Sequence, residues 1–136
     1  MLKALATLAI TALPTQATTQ RIRFEEYRIP VVKLSDTTFE VIATDSAGPA
    51  QIWCAAAQFS DARFGRAHKS LWVEKAYSPS QSFAGFKGVV FSTKPVGNST
   101  RSFTFGIRKV GLQKSVGAAS FLCDDVNFNV RITDRP

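Results

Sequence analysis

Cys54, His68 and Cys123 are the side chains whose types most readily suggest chemistry. A Cys–His nucleophile–base pair needs hydrogen-bond reach, about 3 Å. Cys54 and His68 are fourteen residues apart, and on one helix the rise alone would separate them by about 21 Å. Only a helix that broke at Gly65 and folded back would bring them together. With a single histidine in the chain, a multi-histidine metal site is excluded. Glu25-Glu26 and Asp124-Asp125 are the adjacent acidic pairs. Neighbours on a strand point to opposite faces, so the first reads as a solvated arm and the second as a turn. Trp53-Cys54-Ala55-Ala56-Ala57 lacks the second cysteine of a C-x-x-C redox pair. There is no G-x-S-x-G elbow and no phosphate-cradling glycine loop; Gly85-Phe86-Lys87-Gly88 marks a turn or bulge. No catalytic residue, cofactor or metal is therefore expected.

Charge is the more informative signal. Between Arg63 and Cys123 lie ten basic residues against one acidic residue, Glu74, a net +9, within a chain of net +7. Such a block favours an anionic partner: a lipid headgroup layer, an acidic glycan or an acidic protein. Lys87, Lys94, Arg101 and Lys114 lie in or next to turn-rich links and are expected to project furthest. The competing reading is a solvated face that only maintains solubility. Phe83 and Phe86 stand in the adjoining loop, where they either plug the core or reach a membrane interface or stack on a sugar or base. Asn98-Ser99-Thr100 fits the glycosylation acceptor pattern, which matters only in a eukaryotic secretory host.

The elements that must position these residues begin after a targeting segment. Met1-Leu2-Lys3 is a positive start, Ala4 to Leu13 is apolar or small, and Thr15-Gln16-Ala17 suits a signal peptidase. Cleavage after Ala17 would leave one domain, residues 18–136. No later segment is long and apolar enough to anchor it. In an exported chain two cysteines argue for a Cys54–Cys123 disulfide, which the chain-entropy treatment values at roughly 4 kcal/mol.

Residues 18–34, interrupted by Pro30, read as an edge strand or extended arm. Thr37 to Thr44 alternates as a strand, with Phe39 and Val41 on one face and Ile42 on the other. Asp45 or Ser46 can cap a helix that Pro49 opens and Gly65 stops. Its stripe is Ile52, Ala55, Ala56, Phe59 and Ala62, with Cys54 alongside. Strands at 70–77, 87–93 and 102–110 have short links and read as an antiparallel meander. A short helix starts near Ser115 and ends near Cys123. In the last strand Val126, Phe128, Val130 and Ile132 alternate with polar residues, so one side of the sheet should face water. The expectation is an α+β fold: one antiparallel sheet of four or five strands, a main helix on one face, and a second short helix.

Phe39-Glu40-Val41-Ile42, Ile52-Trp53-Cys54-Ala55-Ala56, Leu71-Trp72-Val73, Gly88-Val89-Val90-Phe91-Ser92 and Phe121-Leu122-Cys123 together resemble small exported proteins of unknown function from alphaproteobacteria. The resemblance implies a periplasmic location and supports the cysteine pairing. It implies no activity. The functional expectation is a non-enzymatic periplasmic or secreted binding or accessory protein. A small exported hydrolase or thiol-dependent enzyme is the alternative, and nucleic acid ranks last because export opposes it.

Overall fold

A computed structural model of the chain describes residues 28–44, 47–65, 69–98, 100–101, 106–123 and 129–133. Residues 1–17, where a targeting segment is expected, and His68, Glu25-Glu26 and Asp124-Asp125 lie outside these residues. The element order is β1 (Arg28–Lys33), β2 (Thr38–Ala43), α1 (Pro49–Phe64), β3 (Ser70–Pro79), β4 (Lys87–Ser92), β5 (Thr100–Arg101), β6 (Leu112–Ser115), α2 (Val116–Phe121) and β7 (Asn129–Thr133).

The strands of the described residues join one sheet in the order β5-β6-β3-β4-β2-β1-β7. Its body is the five-stranded antiparallel run β6-β3-β4-β2-β1, and the fold is α+β as the sequence predicts. Two strands extend that body in parallel, β7 beside β1 and β5 beside β6. Parallel neighbours require crossover connections, which local periodicity does not reveal.

Three expectations are corrected. β1 is interior, between β2 and β7, not an edge. Pro30 lies one residue outside the β1–β2 ladder, which begins at Val31 opposite Val41. It lies within the β1–β7 ladder, opposite Arg131, so a proline stands inside the pairing on that side of the strand. The meander also does not form: β4 pairs with β3 on one side and β2 on the other. Of the span 102–110, residues 102–105 lie outside the description and 106–109 are not strand. There Ile107 is buried, whereas Arg108, Lys109 and Val110 are all exposed. Finally, the second face of the sheet is closed at its centre, where Val32, Glu40, Ile42, Val90 and Ser92 are all buried.

α1 forms over the predicted span and ends at Gly65, whose φ of 67° suits a residue without a Cβ. Its N-cap is Gly48, which supplies no side-chain cap, with Pro49 opening the first turn. Burial is wider than the predicted stripe. Every residue from Ile52 to Ala57 is buried, whereas Ala62 is exposed. A helix buried on nearly all sides needs cover beyond one sheet face, and α2 helps to provide it through the disulfide. The core beneath α1 is aromatic. Phe39 meets Phe59 at 4.6 Å and Phe91 at 5.8 Å between ring centroids, and Trp53 meets Phe91 edge-on at 4.9 Å. Side chains of this size each contribute about 1.5–3 kcal/mol on burial.

Candidate basic–aromatic site

Cys54 and Cys123 form the predicted disulfide, joining α1 to the end of α2. The Ser115 hydroxyl accepts from the Ala118 N–H and caps α2, so the cap sets where that helix begins and the disulfide holds its far end. The bond consumes the Cys54 thiol and removes it from nucleophilic chemistry. Among the described residues no three His, Cys, Asp or Glu side chains gather as metal ligands.

The four cations expected at the surface have different fates. Lys87 and Lys94 are exposed. Arg101 occupies the outermost strand β5; its side chain lies outside the description. Lys114 is the correction. It is only 6% exposed, and its Nζ lies 5.5 Å from the centroid of the Trp53 ring. Burial pushes its pKa below the ordinary lysine value. It sits on β6 opposite Leu71, in sheet rather than in a turn, so it faces the core.

Two other cations converge on Tyr77 of β3. Lys87 Nζ lies 5.6 Å from the Tyr77 ring centroid and Arg108 Cζ lies 5.4 Å from it. The backbone places all three. Lys87 opens β4 opposite Pro79, two residues from Tyr77. The Tyr77 N–H donates to the Ile107 carbonyl at 2.9 Å, and the Gly111 N–H donates to the Val73 carbonyl at 2.8 Å. These bonds dock residues 106–111 along β3 and carry Arg108 to the ring. The ring packs against the hydrophobic core, which holds it in place. Neither Lys87 nor Arg108 has a carboxylate within ion-pair distance among the described residues.

On the second face, Glu40 is only 2% exposed. Its carboxylate accepts from the Gln81 N–H at 3.2 Å and from the Ser82 hydroxyl at 2.6 Å. The loop is further fixed by the Ser80 hydroxyl, which accepts from the N–H groups of Ser82 and Phe83. Ser82 and Glu40 have the separation of a nucleophile–base pair, but a reacting atom must approach both. The loop closes Glu40 off, and both donors are spent on holding it. The pair is a clamp that fixes the β3–β4 turn. Phe83 is partly buried, and Phe86 is 49% exposed.

Sequence reasoning missed Tyr77, Arg108 and Glu40 as a group of interest. Tyr77 and Arg108 meet only because residues 106–111 dock on β3. Glu40 stands on the face where water was expected, and the donors that meet it lie some forty residues away. No protein-family model matches the chain, and the searches of curated proteins and of solved structures found no match.

Proposed function

We propose that the protein is a non-enzymatic periplasmic or secreted binding or accessory protein with a basic surface for an anionic envelope partner. The observation that carries this reading is the imbalance of exposed charge. Among the described residues between Arg63 and Cys123, Arg63, Lys69, Lys75, Lys87, Lys94, Arg108 and Lys109 are exposed against Glu74 alone. A one-sided field of this kind draws anions to the surface. The disulfide fits an oxidising compartment. No helix of the described residues is long and apolar enough to cross a membrane.

The test is retention on anionic liposomes or an acidic polysaccharide at low salt. Raising the salt from 0.1 M to 1 M shortens the Debye length from about 10 Å to about 3 Å, so bound protein should elute. Replacing Lys87, Lys94, Arg101 and Arg108 together by Gln should abolish retention and leave the melting temperature nearly unchanged, because exposed charges contribute little to stability. Equal retention of parent and variant would defeat the proposal, as would no retention of the parent at low salt.

A further inference from the structure

We infer that the turn between β3 and β4, residues 80–86, is an insertion tip that carries Phe86 into the interface of an anionic bilayer. The inference rests on the basic-surface reading and names its partner as lipid. Phe86 is a large apolar side chain left 49% exposed. Ala84 and Gly85 before it are exposed and uncharged, and the exposed Lys87 follows it. No acidic residue stands between Glu74 and Asp124 in the sequence, so the turn itself carries nothing that repels anionic headgroups. The carboxylate that meets the turn, Glu40, is covered by it and is only 2% exposed.

An apolar side chain enters a bilayer interface cheaply only if its backbone does not bring unpaired N–H groups along. Here those donors already have partners. The Ser80 N–H donates to the Phe86 carbonyl at 2.8 Å, and the Phe86 N–H donates to the Phe83 carbonyl at 3.3 Å. The N–H groups of Ser82 and Phe83 donate to the Ser80 hydroxyl at 3.1 and 3.0 Å. The Gln81 N–H donates to the Glu40 carboxylate at 3.2 Å. Glu40 also ties the turn to the sheet through the Ser82 hydroxyl. Phe86 is thus presented on fixed backbone, which loses little freedom on binding.

These features favour lipid among anionic partners. A strand-adding peptide needs free backbone groups, and a glycan is held largely by hydrogen bonds; most N–H groups of this turn are already taken. A fluid interface needs neither free donors nor a matching pocket. It accepts an aromatic ring at headgroup depth while an adjacent Lys reaches toward the phosphates. One apolar group anchors only marginally, and the exposed cations supply the second signal that stable attachment requires.

The experiment titrates the full chain at low salt with phosphatidylglycerol vesicles, phosphatidylcholine vesicles and polygalacturonate, whose only anions are carboxylates. The parent should bind phosphatidylglycerol vesicles far better than phosphatidylcholine vesicles. Phe86→Ser should weaken binding to phosphatidylglycerol vesicles by about tenfold, the loss expected when one large apolar side chain no longer leaves water. Phe121→Ser makes the same change at a ring 76% exposed on α2 and should alter binding by less than about twofold. Lys87→Gln should weaken it by about fivefold, the contribution of one cation near an anionic surface. Phe86→Trp should bind like the parent, and its emission, measured against the parent's, should move to shorter wavelength on phosphatidylglycerol vesicles. Should Phe86→Ser unfold, that shift still decides. If Phe86→Ser binds these vesicles as tightly as the parent, if it and Phe121→Ser lose equally, or if the Trp emission stays put, insertion is overturned and the basic surface stands. Binding of the parent to polygalacturonate but not to vesicles has the same meaning. If the parent binds no probe, both readings fall.

Discussion

The Glu40 carboxylate occupies the space above Gly88 that a side chain would fill. A Cβ at position 88 would stand 2.6 Å from Glu40 Oε1, 3.1 Å from its Cγ and 3.1 Å from the Val41 carbonyl oxygen. Gly88 pairs with Ile42 on the neighbouring strand, so a bare backbone on β4 lets an acidic side chain cross the sheet surface and reach residues 81 and 82. Gly88→Ala should cost about 1–3 kcal/mol, the usual range for overpacking. In an Glu40→Ala background the same change should cost less, because the crowding partner is gone. Chemical denaturation of the four members of this cycle measures the coupling; strict additivity would refute the contact.

The disulfide should dominate the chain's response to reductant. Cys54 and Cys123 are 69 residues apart, and closing a loop of that size restrains the unfolded chain by about 4 kcal/mol. Mass spectrometry after alkylation without reductant should find no modified thiol. Replacing both cysteines by Ala should lower the melting temperature substantially, and reductant should have no further effect on that variant. An unchanged melting temperature would show that the bond does not carry this stability.

Lys114 should make stability rise with alkaline pH. Burial lowers its pKa in the folded chain below the ordinary value of 10.5, so the unfolded chain binds its proton more tightly. Below the folded pKa the full cost of burying the ammonium is present. As the pH rises from there toward 10.5 the folded state sheds the proton first, and that cost is relieved. The stability difference between the parent and Lys114→Met should therefore shift in the parent's favour over that window. Guanidinium unfolding of both proteins at a series of pH values checks this, and parallel pH profiles would contradict it.

Ser60 is fully buried on α1 and its hydroxyl has no hydrogen-bond partner among the described residues. An unpaired buried hydroxyl costs roughly 1–3 kcal/mol, and Ala is the better helix former. Ser60→Ala should be neutral or stabilising by up to about 1 kcal/mol. A clear destabilisation in urea would mean that the hydroxyl has a partner.

What the sequence determined by itself was local. Pro49 and Gly65 bound α1 because a missing N–H is harmless at a helix start and a positive φ suits glycine at its end. Ser115 capped α2 for an equally local reason, and the alternation of Phe39 and Val41 placed them in the core. The cysteine count allowed one intramolecular pairing. Tertiary structure decided what depends on partners distant in sequence. The parallel strands β5 and β7, the interior place of β1, the burial of Glu40 and Lys114, and the meeting of Lys87 and Arg108 on Tyr77 all required elements brought together across the sheet. A charged residue in a polar position of a strand reads as solvated from its neighbours alone. Whether it meets water, a ring or a clamping loop is set by which distant segment covers it, because burial is a property of the packed assembly and periodicity records only the faces.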